Sequence, residues 1–434
     1  MLTTEQNRMI TQVGAGTPMG ELLRRYWIPF AGASEFDEKP VRAVRLLGED
    51  LVAYRDGSGT FGLINRQCPH RRADLSYGFI EACGLRCNYH GWLMDEAGHV
   101  IEMPYDDTAN PAQNLKAKAS TKAYPVKELA GLLFTYMGPA PVPELPVWAP
   151  FTWTGGFRQI VKSDVPCNWF QCQENSCDPV HFEWMHDNWG ARLEGRDDNS
   201  AKHLQLDFVE TDFGHAYRRI REGQEEGSSL WTVGRLALWP LAFYLGEHFE
   251  WRVPVDDENT LSIAWFFEQS PKDVAPVMQD KVPVWISPIV DDTGRWITTH
   301  VINQDIVAWV GQGRIADRSQ EFLAASDRGI VMMRRRYFED MKRVEQGLDP
   351  KGVIRDPQLA RCVPLDRVLL PPLPGDLTRE QWKKHPGLSR KLIDHRHCAG
   401  QPAKVRQDYL RAMGFGPDLS LLPNAGQKLE TQVS

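Results

Sequence analysis

The chain has 434 residues, of which 42% are hydrophobic and 25% charged, and this length favours two or three domains. The composition is typical of a soluble globular protein and excludes disordered and fibrous classes. The net charge of −7 at pH 7 argues against a nucleic-acid or anionic-membrane surface. Because no apolar run of 18 residues and no signal-peptide core is present, we expect no membrane span and place the chain in the cytoplasm.

Short apolar runs in residues 41–64 are interrupted by Gly-Glu-Asp and Asp-Gly-Ser-Gly, a pattern typical of strands joined by hairpin turns. Similar runs continue to Met137, and a proline-rich stretch covers residues 138–146. The sequence therefore predicts a mostly β first domain over residues 1–145.

The middle of the chain combines strand and helix patterns. A strand-like run at residues 157–165 precedes a helical segment from Asn168, and residues 204–301 are rich in strand patterns. We therefore predict an antiparallel sheet with covering helices over residues 146–365. Together with the first domain, this gives an α+β fold.

A long amphipathic helix is predicted near the end of this second domain. Ser326 can cap it, and apolar residues recur every three or four positions until Gly347. The C-terminal extension that follows, residues 366–434, is dense in Lys, Arg and His and includes a His-Arg-His triplet at residues 395–397. Such clusters can bind metals or anions, but we expect a solvated segment that wraps around the domain.

The chain has eight cysteines, and in a reducing cytoplasm regular spacing favours metal binding over disulfides. Only Cys68 and Cys87 belong to regularly spaced pairs. We expect the other six to be small buried hydrophobic residues. They are Cys83, Cys167, Cys172, Cys177, Cys362 and Cys398.

Two short motifs, Cys68-x-His70 and Cys87-x-x-His90, each combine one cysteine with one histidine. Two thiolates on one iron and two imidazoles on the other are the ligands of a Rieske [2Fe–2S] centre. A structural zinc site is the alternative, but zinc sites favour pairs of cysteines or histidines at other spacings. Because a cluster alone would also suit a pure electron carrier, a second metal site is needed to indicate an enzyme.

Polar residues stand among aromatic ones from Asn175 to His186, and buried polar groups need a partner. An iron held by two histidines and one carboxylate, with open positions, would explain His181 and His186. Residues five apart on an ideal α-helix diverge by about 140°, so we expect a wider π-type turn, for which Pro179 supplies a cause. Asp178, one turn before His181, can orient that ring. The alternative is a capped helix with core histidines.

The two cysteine–histidine motifs resemble the signature of Rieske non-haem iron ring-hydroxylating oxygenases. The segment that contains Asn175, Asp178, His181 and His186 matches the family pattern N-x-x-D-x-x-H-x₄-H at every position. The resemblance implies an all-β Rieske domain before a helix-grip catalytic domain, with Asn175 and Asp178 in the catalytic site. It also implies a [2Fe–2S] cluster, a mononuclear Fe(II) and O₂ as cosubstrate. The implied cluster ligands are Cys68, His70, Cys87 and His90.

The third iron ligand is also implied by resemblance. The stretch that begins at Asn303-Gln304-Asp305 is similar to the phthalate-dioxygenase-like branch of the family, in which the Asp after Gln binds iron. This assigns Asp305 to the iron together with His181 and His186. The alternative carboxylates are Asp291, Asp292 and Asp317. A structural ion network is expected from Arg318, Glu321 and Asp327.

The resemblance implies partners as well. Electrons would come from NADH through a separate reductase and/or ferredoxin, because the chain has no credible nicotinamide or flavin motif. Family members form trimers, or stacks of two trimers, in which the residue equivalent to His90 meets the next protomer's equivalent of Asp178. We therefore expect a homotrimer or stacked hexamer, a small aromatic acid as substrate, and no nucleic acid or membrane as partner.

Residues 171–175 and 181–184 look most like those of oxygenases that O-demethylate lignin-derived aryl acids, including 5,5′-dehydrodivanillate. Within the family, ring hydroxylation or cis-dihydroxylation of phthalate-like acids is the alternative. Outside it, an electron carrier or a metal-stabilised binding module remains. An aromatic acid also needs a cation in its pocket, and the sequence does not rank the candidates. They are Arg192, Arg196, Arg218, Arg235, Arg252 and His248.

Overall fold

The structure is a computed structural model that describes residues 1–196, 202–423 and, for the backbone only, 428–429. The strands are β1 (Trp27–Gly32), β2 (Val41–Leu46), β3 (Glu49–Arg55), β4 (Phe61–Asn65), β5 (Phe79–Ile80), β6 (Leu85–Arg86), β7 (Leu93–Met94), β8 (Val100–Glu102), β9 (Ala123–Tyr124), β10 (Val126–Leu129), β11 (Leu132–Tyr136), β12 (Gly156–Val165), β13 (His203–Thr211), β14 (Gly214–Arg221), β15 (Arg235–Leu238), β16 (Ala242–Tyr244), β17 (His248–Pro254), β18 (Thr260–Gln269), β19 (Met278–Gln279), β20 (Val284–Ile286) and β21 (Lys428–Leu429).

The α-helices are α1 (Thr4–Thr11), α2 (Pro18–Leu23), α3 (Pro104–Ala109), α4 (Trp169–Asn175), α5 (Asn188–Leu193), α6 (Ser229–Thr232), α7 (Val301–Gly311), α8 (Arg328–Glu345), α9 (Pro357–Ala360), α10 (Arg379–Lys384), α11 (Pro386–Ile393) and α12 (Ala403–Ala412). A π-helix covers Phe182–Asp187. No helix in the described part of the chain is long and apolar enough to cross a membrane.

The N-terminal region consists of small antiparallel sheets. Their strand orders are β2-β3-β4-β9, β5-β6-β7-β8 and β1-β11-β10. The strands predicted within residues 41–64 are confirmed as β2, β3 and β4. The chain turns between β2 and β3 at Leu47 and Gly48, whose φ values of 48° and 76° suit a two-residue hairpin turn.

The second region contains one large sheet with the order β13-β14-β15-β16-β17-β18-β12-β20. Its neighbours are antiparallel except for β20, which joins β12 in parallel. The predicted strand at residues 157–165 is confirmed as β12, and Asn168 caps α4 as its position suggests. Strand β17 is buried along its whole length, since both α4 and β1 pack against it. The predicted α+β fold is therefore confirmed.

One apolar core joins the two regions. It contains Ile28 and Leu132 from the sheet of β1 and β11, and Ile160 and Trp265 from the large sheet. Helices α1 and α2 reach further and pack against α4 and α8. The first helices therefore lie against the second region, and the division of the chain at residues 145 and 365 stays a prediction.

The predicted amphipathic helix is present as α8, but its start differs from the prediction. It follows Asp327, not Ser326, and the Asp327 carboxylate accepts the Ala324 N–H (2.6 Å). The buried residues of α8 include Met333, and the helix packs against α2 and β14. Gly347, with a φ of 74°, follows its last turn as expected.

The prediction of a solvated C-terminal extension is wrong for His395 and Cys398, which are buried, whereas Arg396 is exposed as expected. The His395 ring is buried against Phe266 and Trp285, with ring centroids 4.8 and 5.4 Å away. The reason is that α10 and α11 have apolar residues, including Trp382 and Leu388, that share a core with β12 and β18. The buried-cysteine prediction is also wrong for two residues. Cys83 and Cys362 are exposed, while Cys167, Cys172, Cys177 and Cys398 are buried.

Candidate metal centres

Two matching loops contain the cysteine–histidine motifs. In the first, the Cys68 N–H donates to the Ala73 carbonyl (2.8 Å), and in the second, the Cys87 N–H donates to the Trp92 carbonyl (2.8 Å). Gly91, with a φ of 76°, gives the second loop the left-handed conformation that its tight turn requires. Each loop therefore closes on its own cysteine through local backbone hydrogen bonds.

The side chains of the two loops converge. Cys68 and Cys87 are buried, and burial together with the neighbouring Cys87 thiol raises the pKa of Cys68 to about 11. The His70 and His90 rings are exposed, with centroids 4.5 Å apart, and His70 stacks on Trp92 (4.5 Å). Partial burial, followed by the charge of His90, lowers the pKa of His70, which favours the neutral ligand form. Two adjacent buried thiols beside two imidazoles fit a Rieske cluster.

Ion pairs fix the base of each loop, and sequence reasoning did not identify them. Arg66 and Asp74 pair at 2.6 Å across the first loop. Arg86 pairs with Glu81 (2.6 Å) and with Glu102 (2.7 Å) beside the second. The only signal in the sequence is an arginine one or two residues before each cysteine, which is too common a feature to indicate this role.

The histidines of the second motif meet because of the π-helix. It starts three residues after Pro179, and the wide turn predicted from the five-residue spacing is therefore present. The His181 and His186 rings lie with centroids 5.3 Å apart. Phe182 packs on both rings, at 4.6 Å from His181 and 5.4 Å from His186.

Three ligand atoms converge beside this helix. Asp305, on α7, places Oδ1 3.6 Å from His181 Nε2 and 3.4 Å from His186 Nε2. The three ligand atoms lie within 4.8 Å of one another, and the described residues contain no other such group. Burial alone would lower the pKa of His186, but the Asp305 carboxylate raises it. His186 Nε2 is buried without a hydrogen-bond partner, so the group fits a metal ion held by two histidines and one carboxylate.

The other ring nitrogens lie beside polar side chains, and of the two only His186 Nδ1 forms a hydrogen bond. Asp178 Oδ2 lies 3.5 Å from His181 Nδ1. Burial would raise the pKa of Asp178, but His181 lowers it below its ordinary value. The Gln304 amide donates to the Thr298 carbonyl (2.9 Å), so its oxygen can accept from His186 Nδ1 (2.8 Å). This tautomer leaves His186 Nε2 free for a metal.

The remaining predicted site residues are separated by the structure into two groups. Asn175 lies beside the three ligands, and its side-chain amide donates to Asp305 Oδ1 (3.2 Å). The alternative carboxylates Asp291, Asp292 and Asp317 are exposed and do not join the ligand group. Asp291 and Asp317 instead accept from nearby groups in their own turns. Gln304, which stands next to Asp305, was given no role by the sequence, although it contacts His186.

A buried ion network supports α4. Glu174 accepts from Arg318 (2.7 Å) and Arg334 (2.6 Å), and Arg334 also pairs with Glu321. The predicted network is therefore present for Arg318 and Glu321. Asp327 is not part of it, because it accepts a backbone N–H just before α8. The central members Glu174 and Arg334 were not identified from the sequence.

A cleft of about 1440 Å³ opens beside the three ligands. Phe243, Leu245 and Leu373 form part of its apolar wall. Its basic side chains come from the large sheet and from the C-terminal extension. They are Arg219, Arg221, Arg235, Arg367, Lys391 and Arg396. The extension, to which the sequence assigned no role, thus completes the cleft.

The structure ranks the cations proposed for an aromatic acid. Arg235 and His248 line the cleft. Arg252 is fully buried in an ion pair with Glu250 (2.6 Å), and is therefore already neutralised. Arg219 lines the cleft but was missed, because nothing in the sequence shows which face of β14 it occupies. The other three candidates are not in the cleft wall. They are Arg192, Arg196 and Arg218.

Comparison with known proteins agrees with both metal centres. Residues 26–125 match the Rieske [2Fe-2S] domain, and residues 290–363 match the LigXa C-terminal domain like family. The chain is 53% identical over 415 residues to the 5,5′-dehydrodivanillate O-demethylase oxygenase subunit of Sphingobium sp. strain SYK-6, which covers 95% of this chain and 97% of the relative. It is 33% identical to the phthalate 4,5-dioxygenase oxygenase subunit of Pseudomonas putida, over 80% and 88% of the two chains.

Solved structures share the fold at lower sequence identity. NdmA of Pseudomonas putida CBB5 with caffeine has a TM-score of 0.56 at 20% identity, over 78% of this chain and 98% of that one. An oxygenase and ferredoxin complex of carbazole 1,9a-dioxygenase gives 0.51 at 18% identity, over 77% and 95%. The identities to two oxygenase subunits over most of the chain show that the protein belongs to the Rieske non-haem iron oxygenases, whose cofactors are a [2Fe–2S] cluster and a mononuclear iron and whose cosubstrate is O₂.

Proposed function

We propose that the protein is the terminal oxygenase that removes a methyl group from a lignin-derived methoxy aryl acid such as 5,5′-dehydrodivanillate. The observation that carries this proposal is the 53% identity over 95% of the chain to an oxygenase subunit of that name. A second candidate, ring hydroxylation or cis-dihydroxylation of a phthalate-like acid, is supported by the 33% identity to a phthalate 4,5-dioxygenase subunit.

The proposed ligand roles follow the two convergent groups of side chains. Cys68 and Cys87 would hold one iron of the cluster, and His70 and His90 would hold the other. His181, His186 and Asp305 would hold the mononuclear iron. When bound, the two metal groups supply one-electron transfer and the activation of O₂.

The surrounding residues have positioning roles in this proposal. Gln304 keeps His186 in the tautomer that presents Nε2, and Asp178 does the same for His181 from its Nδ1 side. Asn175 holds one oxygen of Asp305, which limits how that carboxylate can turn. The apolar wall formed by Phe243, Leu245 and Leu373 would pack against the substrate ring.

O-demethylation has a defined balance. One methoxy arene, O₂, two electrons and two protons give a phenol, formaldehyde and water. The C–H bond of the methyl group is oxidised, and the resulting hemiacetal releases formaldehyde as its C–O bond breaks. Electrons are proposed to come from NADH through a reductase and/or a ferredoxin, since the exposed imidazole edges of the cluster site suit docking of an electron carrier.

We also propose that the protein works as a homotrimer or a stack of two trimers, in which His90 of one protomer lies against Asp178 of the next. His90 is exposed, and the Asp178 side chain keeps 30% of its surface accessible beside His181. Within one chain, no contact between His90 and Asp178 is present in the described structure. A route between protomers would use the exposed His90 and the partly exposed Asp178.

The test is turnover with NADH, O₂ and a surrogate reductase, with methoxy aryl acids and phthalate compared as substrates. We expect formaldehyde to be released from 5,5′-dehydrodivanillate in step with NADH oxidation. A cis-diol from phthalate without formaldehyde from any methoxy acid would favour the second candidate. About three irons per chain are expected, whereas a pure electron carrier would hold about two.

A further inference from the structure

Two guanidinium groups in the cleft, those of Arg219 and Arg235, have donors that the protein does not use. Arg219 Nε and Nη1 and Arg235 Nη1 are buried, and no described residue accepts from them. The Tyr217 phenol lies beside both guanidinium groups, and its oxygen forms no well-directed hydrogen bond. Buried donors without acceptors are costly, so their presence together needs an explanation.

The charge balance around these groups is positive. Glu183 is buried and is shared by Arg219 (3.1 Å), Arg221 (2.9 Å) and His203 (2.7 Å). Arg235 forms no ion pair with a carboxylate of the described residues, and burial lowers its pKa. Asp187 also pairs with Arg221 (3.3 Å), but no carboxylate of the described residues accepts from the free donors of Arg219 and Arg235.

The two groups also lie close to the iron ligands. The Arg235 guanidinium stands 4.0 Å from the centroid of the Phe182 ring, and that of Arg219 stands 5.1 Å from it. The same ring packs on His181 and His186. The cations and the ligand imidazoles are thus separated by the thickness of a single aromatic side chain.

We propose that Arg235, together with Arg219 and Tyr217, binds the carboxylate of the aromatic acid and so positions its ring beside the iron. This inference rests on the proposed function, because it takes an aryl acid as the ligand. A planar guanidinium binds a carboxylate through two parallel hydrogen bonds, which fixes direction as well as distance. Since a benzene ring separates the carboxylate from the methoxy group, anchoring the acid here holds the methyl carbon towards the ligand group.

The same arrangement selects against neutral aryl ethers. An ester or amide in place of the acid would leave the Arg235 cation buried without an anion. Arg235 is therefore a specificity-determining residue, and its effect depends on the charge of the substrate.

The experiment compares Arg235→Gln and Arg235→Lys with a matched control, Arg218→Gln. Arg218 neighbours Arg219 on β14, its side chain points to the other face, and it does not line the cleft. The dissociation constants of 5,5′-dehydrodivanillate and of its dimethyl ester are measured by calorimetry under anaerobic conditions. Arg235→Gln is expected to weaken binding of the acid roughly 10- to 100-fold and to change binding of the ester by less than about threefold. Arg235→Lys is expected to recover part of the loss, and Arg218→Gln to match wild type.

Several results would overturn the subsite. The first is an Arg235→Gln variant that binds the acid as wild type does. The second is an Arg235→Gln variant that loses affinity equally for acid and ester while its cluster spectrum and iron content stay intact. The third is a wild-type protein that prefers the ester or binds neither compound. If Arg235→Gln does not retain its metals, Arg235→Lys and Tyr217→Phe are tested in its place. Each should lose less affinity than is expected for Arg235→Gln, and only for the acid. Unchanged acid binding in both would equally refute the subsite.

Formaldehyde release separates this inference from the proposed function. An enzyme that binds the acid through Arg235 but releases no formaldehyde keeps the subsite and loses the function. An enzyme that releases formaldehyde and whose Arg235→Gln variant binds the acid normally keeps the function and loses the subsite.

Discussion

The two candidate metal centres differ in how the chain builds them. The cluster ligands lie within residues 68–90, on two loops that close through their own backbone hydrogen bonds, and their imidazoles are exposed. The iron ligands are spread from residue 181 to residue 305, and a π-helix, α7 and a cleft must be assembled around them. A site that only passes electrons can be local and near the surface, whereas a site that receives O₂ and substrate needs the whole second region.

The largest effect is expected from His181→Ala. Because His181 and His186 belong to one ligand group that the cluster loops do not share, this variant should lose the mononuclear iron and all oxygenation. The Rieske electron paramagnetic resonance signal should remain. Iron content and that signal, measured on the same sample, check the prediction.

The reciprocal variant is Cys87→Ser, which should lose the cluster signal and keep the mononuclear iron. Loss of both metals from a folded protein in either variant would show that the two centres are not independent. Circular dichroism provides the control for folding.

The features of the two centres that the sequence predicts are those that depend on short-range interactions. Cys68-x-His70 and Cys87-x-x-His90 could be recognised because their geometry is set by the next few residues, and the π-helix could be expected from a five-residue spacing. Asp305 came only from resemblance, since its 119-residue distance from His186 carries no local signal.

The incorrect prediction and the overlooked residue have a common physical cause. His395 was expected to be solvated because it lies in a segment dense in Lys, Arg and His, yet the apolar side chains of α10 and α11 bring it into the core beside the large sheet. Arg219 was missed because its face on β14 depends on which side of the sheet closes the cleft. Whether a residue is buried, and which face of a strand its side chain occupies, both depend on tertiary structure. A single sequence indicates these properties only indirectly.

The next largest effect tests whether the two centres act across protomers. Asp178→Asn alone is expected to reduce turnover roughly 100-fold with both metals bound, because the Asp178 carboxylate lies 3.5 Å from His181 Nδ1 and is partly exposed. A His90→Ala variant should also be inactive, since it lacks a complete cluster. Assemblies of the two folded variants are dissociated and mixed. If mixed trimers form, part of the activity should return.

Activity can return only in mixed assemblies of the two variants. Only an assembly in which an intact cluster of one protomer faces an intact Asp178 of another contains a working route, and each mixed head-to-tail trimer contains one such junction. Mixed assemblies that form, as shown by differently tagged chains, but stay inactive would contradict transfer between protomers.

A smaller effect is expected from Gln304→Leu. Its oxygen accepts from His186 Nδ1, so its loss should weaken iron binding about 10-fold by freeing the ring and its tautomer. Iron affinity is measured by competition with a chelator. Gln312→Leu, at the exposed C-terminal end of the same helix, should bind iron as wild type does. Equal iron affinity in both variants would remove Gln304 from the site.

The smallest expected effect is on the pH dependence of the free energy of unfolding. It compares the buried His395 with the exposed histidines of the cluster region. Burial, followed by the charge of His300, lowers the pKa of His395 to about 3. The unfolded chain binds this proton at the ordinary value near 6.5, so the stabilising effect is present above that pH and is lost as pH falls below it. The wild type should lose about 1 kcal/mol from this residue alone between pH 6.5 and 5.5, because the unfolded-state imidazole is already half protonated at pH 6.5.

His395→Asn isolates that contribution, because its side-chain oxygen can still accept the Cys398 N–H that His395 Nδ1 accepts at 3.0 Å. The variant should be less stable than wild type at pH 8, since the ring packing is lost, but the difference in free energy of unfolding should shrink towards pH 5.5. Denaturant titrations at the two pH values measure it, with exposed His99→Asn in the cluster region as the control. A difference between wild type and His395→Asn that does not change with pH would mean that His395 has the same pKa in the folded and unfolded chains, and would contradict a buried ring that is kept neutral.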